Sequence, residues 1–218
     1  MPTTGKSKEP STSTKSAKPR QRGRDLSVDE RREQVLETAS ELFYRHGYRS
    51  TSLNQIGEAL GLTGPALYYY FTSKEEILFD IRDRIVRRSV EQVKALLDSD
   101  ASPEEKLRNV LHEHILTLLS NVAPNVVFDR ERGNLSPERE REIRDHEREY
   151  ESLLRSLYSD GVELGQFRDI PPSLAVGVLL ASCNWMHRFN MEARKLSPDE
   201  VADALCGLLA DGYLVTDG

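Results

Sequence analysis

Apolar residues recur every three or four positions along most of this chain, which is the spacing of one face of an α-helix. The first such segment covers residues 28–46 and stops at Gly47. No segment shows the strict alternation that is typical of a β-strand, and no internal repeat is present. The pattern therefore predicts an all-α fold of about nine helices.

Several helix starts are marked by a serine followed three residues later by a glutamate, the capping-box pattern. The pairs are Ser27/Glu30, Ser73/Glu76, Ser102/Glu105 and Ser197/Glu200. Prolines suited to a first helical position follow two of these serines. Beyond the first 72 residues, the predicted elements are a long helix over 73–98, one from 103 that stops by 124, a short apolar element at 126–128, and helices over 136–164, 173–195 and from 198 onward.

Residues 52–74 predict two short helices separated by a tight turn. Leu53, Ile56 and Leu60 share one face of the first helix. Gly61 is suited to stop this helix, because glycine adopts the left-handed conformation without steric cost. The second helix restarts at residue 64, with Pro65 in its first turn.

The second of these short helices carries three consecutive tyrosines, Tyr68, Tyr69 and Tyr70. Consecutive helical residues cannot share one buried face, so all three cannot be core aromatics. A short helix with a polar-aromatic surface, supported by an amphipathic partner, is typical of a DNA recognition helix.

The formal net charge of −6 hides an asymmetry, since residues 1–24 carry +6 and the remainder −12. The basic segment is rich in Ser, Thr, Lys and Pro, a composition that predicts a disordered tail. The acidic remainder of the chain argues against non-specific binding to nucleic acid. The basic tail permits a DNA-binding surface that is confined to one part of the protein. Two interpretations of the tail stay open, a solvating segment and an arm that contacts DNA.

The predicted helix over 173–195 contains no charge from Ser173 to Met186. A helix that is apolar on nearly every side must be covered on nearly every side. With the helix that starts at Pro198, it predicts half of an intermolecular four-helix bundle and hence a homodimer. Burial within one subunit is the alternative.

Candidate catalytic and metal-binding groups are sparse. His112 and His114 are two positions apart, so on a helix they point about 200° from one another and cannot bind one metal ion. Cys183 and Cys206 lie in apolar stretches and are interpreted as small buried hydrophobic residues. No nucleophile motif appears. We therefore expect no enzymatic activity, no cofactor and no metal.

The N-terminal segment lacks the apolar core of a secretory signal. The longest uncharged stretch, 170–187, contains two prolines and several polar residues and is a poor membrane span. We expect a cytoplasmic protein without a membrane partner.

Residues 47–78 resemble the N-terminal DNA-binding domain of TetR-family transcriptional regulators. The matching positions are Thr51-Ser52, Ile56, Gly61-Leu62-Thr63, Leu67-Tyr68-Tyr69-Tyr70-Phe71 and Ser73-Lys74-Glu75. The resemblance implies a DNA-binding domain over 25–72, after the tail of 1–24, and a ligand-binding and dimerisation domain over 73–218.

The resemblance also implies which residues contact DNA. Phosphate contacts are expected from Ser52, Thr63, Tyr68, Tyr70 and Lys74, and base-edge contacts from Gly64, Pro65, Ala66 and Tyr69. Asn54 is the tenth residue expected to contact DNA, and it stands where the family often has an arginine that contacts guanine. Tyr70 keeps a phosphate donor but lacks the charge of the common histidine.

The C-terminal part resembles the branch of the family that responds to acyl-CoA thioesters or related lipid metabolites. The resemblance lies in residues 134–137, the region of Tyr150, residues 161–168 and the pair Asn184-Trp185. We predict an effector pocket lined by Leu118, Phe128, Tyr150, Leu154, Trp185 and Phe189, with Arg130, Arg148 or Arg188 at its mouth. Taken singly, each apolar member also fits a core position, and each arginine a solvated helix face.

Together these observations predict a homodimeric repressor, which a small hydrophobic effector such as an acyl-CoA thioester releases from a palindromic DNA operator. A multidrug-sensing repressor is the nearest alternative, and a DNA-tethered enzyme or adaptor is another. A sensor of cationic drugs needs buried acidic residues, and the predicted eighth helix offers none before Glu192.

Overall fold

In the computed structural model, the described residues are 26–188 and 196–214, without the side chains of His187 and Arg188. This part of the chain forms nine α-helices: α1 Val28–His46, α2 Leu53–Ala59, α3 Gly64–Tyr70, α4 Lys74–Leu97, α5 Pro103–Ser120, α6 Val122–Glu131, α7 Pro137–Glu163, α8 Pro172–Asn184 and α9 Pro198–Tyr213. Short 3₁₀ turns cover Arg132–Asn134 and Trp185–Arg188. The described residues contain no strand beyond an isolated bridge between Phe167 and Leu214, so the all-α prediction is confirmed.

Serine side chains begin most of these helices. Complete capping boxes form at Ser27, Ser52, Ser102 and Ser197, which confirms three of the four predicted boxes. Ser73 also caps its helix, since its hydroxyl accepts from the Glu76 N–H at 3.1 Å. The Glu76 carboxylate, however, accepts from the backbone N–H and the hydroxyl of Thr72, each at 2.8 Å. This helix start is therefore tied back to the loop that leaves α3.

Two hydrophobic cores organise the chain. The first joins α1, α2, α3, the start of α4, α6 and Ile143 of α7. The second joins the later part of α4 with α5, α7, α8 and α9. Helix α4 supplies Ile77, Leu78 and Ile81 to the first core and Val86, Val90 and Val93 to the second. It is thus a single rigid element with one end in each core.

Helix α6 differs from its prediction. The expected short element at 126–128 is a helix of ten residues, Val122–Glu131, and Pro124 lies inside it. Proline is tolerated there because the first-turn N–H groups have no partner within the helix. Val127 and Phe128 are buried in the first core, so α6 packs against α1 and α4.

Helix α8 also ends earlier than predicted. The α-helix stops at Asn184, a 3₁₀ turn follows, and residues 189–195 lie outside the described residues. One side of α8 is buried in the second core, while Leu174 and Val178 are more than half exposed. On α9, Leu208 is 71% exposed. These side chains line an apolar groove between α8 and α9.

The two cysteines are buried in the second core, as expected for small hydrophobic residues. Burial raises the pKa of Cys183 to about 12 and that of Cys206 to about 11, so both thiols stay protonated. Among the described helices, none is long and apolar enough to cross a membrane.

Gly161 on α7 generates the first prediction. The Phe167 ring packs directly on its backbone, and an alanine methyl group there would overlap ring atoms. The ring cannot easily move, because Tyr158 and Tyr213 each hold it at a centroid distance of 5.2 Å. We expect Gly161→Ala to destabilise the fold by about 1–3 kcal/mol, measured by urea unfolding with circular dichroism. Gly133→Ala, whose methyl group would meet nothing within 4 Å, serves as the control. Equal stability of the two variants would contradict the packing argument.

Candidate DNA-binding and ligand-binding sites

One face of helix α3 packs into the first core and holds the helix in place. Leu67 and Phe71 are buried in the first core beside Ile56 of α2. The turn between the two helices is closed by the Leu62 N–H, which donates to the Gly57 carbonyl at 2.8 Å. Gly61 has a φ of 66°, the left-handed conformation that its sequence position predicts. The remaining faces of α3 therefore point away from the core.

The tyrosines of α3 lie mostly outside the core. Tyr68 is more than half exposed, and Tyr69 is 73% exposed. Tyr70 is half-buried, and its ring meets the Tyr69 ring edge to face at 5.0 Å. None of the ten residues predicted to contact DNA is buried. Donors and π faces are thus presented at the surface of a short, firmly held helix.

Lys74 has a local role that the sequence did not suggest. Its ammonium donates to the Tyr48 carbonyl at 2.7 Å and to the Arg49 carbonyl at 3.4 Å, and it lies 4.6 Å from the centroid of the Tyr48 ring. Partial burial lowers the pKa of Lys74. Two of its three N–H donors thus hold the loop that precedes α2, and one stays available for a phosphate oxygen.

Arg32 on α1 ties α3 to α4. Its guanidinium donates to the Tyr70 carbonyl and, at 2.5 Å, to the Asp80 carboxylate. It also lies 3.6 Å from Glu76 and stacks over the Phe71 ring at 4.1 Å. Sequence reasoning missed this residue. Its position one turn before a buried pair of apolar residues on α1 is the only signal that marks it.

A cavity of about 300 Å³ opens in the helical domain, between α4, α5, α6, α7 and α8. Apolar side chains from α4, α5 and α8 form part of its wall. Its polar lining comprises Arg82, Ser89, His114, Thr117, Asn125, Arg132, Glu147, Tyr150, Glu151 and Asn184.

A chain of hydrogen bonds crosses this cavity through His114. Its Nδ1 lies 3.0 Å from the Tyr150 hydroxyl, and its Nε2 lies 3.1 Å from Asn184 Oδ1. The amide oxygen can only accept, so Nε2 carries the proton and Nδ1 accepts from the Tyr150 O–H. Burial lowers the pKa of His114 to about 4, against the opposing effect of the Asn184 hydrogen bond. Burial also raises the pKa of Tyr150, so both rings are uncharged at neutral pH.

One carboxylate joins two arginines in the same wall. Glu147 Oε1 accepts from Arg82 at 2.8 and 3.1 Å, and its Oε2 accepts from Arg132 at 3.2 Å. Both guanidinium groups also lie over the Phe128 ring, at 5.2 and 5.3 Å. Sequence reasoning missed these three charged residues, because they look like the solvated charges around them.

The structure brings some of the predicted effector residues together. Leu118 and Tyr150 line the cavity, and so does Asn184. Phe128 is buried beneath the two arginines in the first core, and Leu154 is buried in the second, and neither lines the cavity.

The other predicted effector residues lie elsewhere. Trp185 is 60% exposed in the 3₁₀ turn after α8. Arg148 is exposed and pairs with Asp145 at 2.9 Å. Arg130 lines a separate cleft beside the loop that precedes α2. Phe189 and the side chain of Arg188 lie outside the described part of the chain.

The described residues contain no group of three His, Cys, Asp or Glu side chains placed to hold a metal ion. Arg82, Arg132 and Glu147 of the cavity are paired with one another, as are His114 and Tyr150. The arrangement can bind an organic molecule.

Two family models match this chain. Residues 35–81 match "Bacterial regulatory proteins, tetR family", and residues 100–213 match "Tetracyclin repressor-like, C-terminal domain". The second match alone covers more than half of the chain. The chain belongs to the TetR family of transcriptional regulators.

Individual relatives agree with this family. A TetR/AcrR-family regulator of Thermobifida fusca is 43% identical, with a TM-score of 0.69 over 84% of this chain and 97% of its own. The repressor KstR2 of Rhodococcus jostii is 30% identical over 84% of this chain and 90% of its own. AibR, solved in complex with isovaleryl coenzyme A and operator DNA, is 27% identical, with a TM-score of 0.70 over 82% of this chain and 97% of its own. These relatives are transcriptional regulators, which supports a non-enzymatic role for the family.

The neutral state of His114 generates a pH prediction. Its folded-state pKa of about 4 lies below the ordinary value of 6.5, so between these values the unfolded chain binds a proton that the folded chain does not. The contribution of His114 to stability is therefore complete above pH ~6.5 and is lost as the pH falls towards 4, by at most ~1.4 kcal/mol per pH unit.

The measurement is urea unfolding at pH 7.5 and pH 5 for the wild type and His114→Gln, which cannot titrate. We expect the free energy of unfolding to fall more for the wild type, by about 1–2 kcal/mol. Equal falls in the two proteins would show that His114 titrates normally in the folded state.

Proposed function

We propose that this chain is a homodimeric repressor, and that an acyl-CoA thioester releases it from a palindromic operator. The observation that carries the proposal is the course of α4. This helix lines the effector cavity with Arg82, Ile85, Val86 and Ser89, and it begins directly after the reading helix α3. Any change in the cavity that moves α4 therefore acts on the DNA-binding end.

The surface of α3 and the start of α2 support the DNA-binding part of the proposal. Tyr68, Tyr70, Ser52 and Thr63 carry hydroxyl groups suited to phosphate oxygens on both sides of a major groove. Tyr69 is the most exposed large hydrophobic side chain of α3. It would contact base edges in the groove, together with residues 64–66 at the start of the helix.

The groove between α8 and α9 supports the dimer. Leu174, Val178 and Leu208 are large apolar side chains exposed on two adjacent helices. A second copy related by a two-fold axis would cover them with the same surface of its own. The two DNA-binding heads, α1–α3 of each copy, would be related by the same axis and would fit a palindromic operator.

The chemistry of the cavity supports an acyl thioester rather than a cationic drug. Glu147 is shared by two arginines, and Glu151 lies 3.5 Å from Arg155, so the acidic groups of the wall are already compensated. A cationic ligand would lack an opposing charge. AibR, a relative of similar fold, binds isovaleryl coenzyme A, and a volume of about 300 Å³ suits a compact acyl group.

Release follows from how the reading helix is attached. Arg32 holds the end of α3 through the Tyr70 carbonyl and holds α4 through Asp80, so the two helices move together. A shift of α4 on effector binding would change the spacing between the two heads of the dimer. Moving the balance from mostly bound to mostly released needs about 5.5 kcal/mol of differential effector affinity.

A conservative change tests the reading surface. Tyr68→Phe removes one exposed hydroxyl and keeps the ring, so we expect about tenfold weaker operator binding with an unchanged fold. The measurement is fluorescence anisotropy with a DNA duplex that the purified protein selects from a random pool. Tyr44→Phe removes an exposed hydroxyl from α1 and should leave the affinity unchanged. Equal affinity of the Tyr68→Phe variant and the wild type would remove Tyr68 from the interface.

The effector is tested on the same duplex. We expect isovaleryl-CoA or a longer acyl-CoA to release the DNA, and free coenzyme A and the cation tetraphenylphosphonium to leave it bound. Native mass spectrometry of the freshly purified protein should give the mass of a dimer, with or without a bound acyl-CoA. A monomer mass would contradict the proposed dimer. Release by tetraphenylphosphonium alone would favour the drug-sensing alternative.

A further inference from the structure

We propose that the effector cavity takes the uncharged carbonyl group of a thioester, and that Asn125 donates the hydrogen bond that recognises its oxygen. This inference rests on the proposed function and deepens it. It assigns a specificity-determining residue on α6, and it states which part of the effector lies inside the protein.

Asn125 is a buried polar residue in the cavity wall, only 5% exposed. Its Oδ1 accepts from Arg82 Nη1 at 3.2 Å. A guanidinium group has only donors, so the amide oxygen must face Arg82, and this fixes the orientation of the amide. Asn125 Nδ2 has no acceptor among the described residues. A buried donor without a partner is costly, and a ligand oxygen at this position would remove the cost.

Several neighbouring donors in the wall are already engaged. The Tyr150 hydroxyl donates to His114, and His114 donates to Asn184. The Ser89 hydroxyl donates to the Ile85 carbonyl at 3.0 Å. The N–H of Asn125 is therefore a buried donor that a new acceptor would find unoccupied.

The charge balance favours a neutral acceptor. A carboxylate or phosphate in this cavity would have to compete with Glu147 for Arg82 and Arg132. The imidazole of His114 supplies no positive charge either, since it is neutral in the folded protein. A carbonyl oxygen needs a single donor and leaves the ion pairs intact.

A thioester carbonyl lies between an acyl group and the long, charged coenzyme A group, so the coenzyme A group must extend out of the cavity. The cavity shares Ile85, Ser89 and Thr117 with a neighbouring cleft between α4 and α5. Arg88 lines that cleft, where its guanidinium group suits a phosphate of coenzyme A, and Arg84 lies beside it in an ion pair with Glu33. The acyl group and its carbonyl would thus occupy the cavity, and the anionic remainder the cleft.

Calorimetric titration of the full-length protein tests the role of Asn125. The probes are isovaleryl-CoA and its thioether analogue, in which a methylene group replaces the carbonyl. We expect the wild type to prefer the thioester by about tenfold. Asn125→Asp keeps the size and the acceptor for Arg82 but loses the N–H donors, and the preference should vanish. The ratio of the two affinities cancels any general effect of the added negative charge.

Asn121→Asp is the matched control, because it makes the same change at the start of α6 with a side chain that lines the neighbouring cleft rather than the cavity. Its added charge would weaken both probes alike, since both carry the same coenzyme A. It should keep the tenfold preference. If Asn125→Asp does not fold, as judged by circular dichroism, Asn125→Leu should show the same loss of preference.

The outcomes separate the two levels of the proposal. A preference that survives in the Asn125 variants, or that is absent from the wild type although both probes bind, would overturn the inference and leave the proposed function intact. A wild type that binds neither probe would overturn the acyl-CoA assignment, and the inference with it.

Discussion

Helix α4 is packed into two hydrophobic cores at once, and this packing attaches helices α1–α3 to the rest of the chain. Its first three turns bury Ile77 and Ile81 against α1 and α6, and its later turns bury Val90 and Val93 against α5 and α7. Such packing tolerates little sliding, because protein interiors are close-packed and a shift of one side chain opens a void. Arg32 adds a polar clamp at the junction, where it holds the carbonyl end of α3 and two acidic residues of α4. Helix α4 is therefore a stiff connection between the cavity and helices α1–α3.

The cavity illustrates how charge is accommodated inside a helical domain. Burying an ion is costly unless its partners and hydrogen bonds are in place. Here Glu147 serves Arg82 and Arg132 together, and both guanidinium groups rest on the face of Phe128. His114 avoids the cost differently, by staying neutral between Tyr150 and Asn184. Under the proposed function, recognition inside this cavity would depend on hydrogen-bond geometry rather than on net charge.

Local signals in the sequence were sufficient for much of the fold. Serine caps with a glutamate three residues later located helix starts, and the helical spacing of apolar residues located the buried face of α2 around Ile56. The cavity wall was harder to predict, because Arg82 and Glu147 resemble the solvated charges of the same helices, and only tertiary packing makes them partners. Helix α6 was underestimated because Pro124 resembles a helix stop, although it occupies a first turn. For α8, an uninterrupted apolar stretch hid the change to a 3₁₀ turn at Trp185.

The position of α6 has a mechanical consequence. It carries Asn125 in the cavity wall and Phe128 in the first core, which it shares with Ile81 of α4. Two helices thus lead from the cavity into the same core, and they cannot separate without opening it. Under the proposed mechanism, each head would move as a rigid body, and its own fit to a half-site would be preserved. The effector would then change only the geometry between the heads, so an isolated half-site would be insensitive to it.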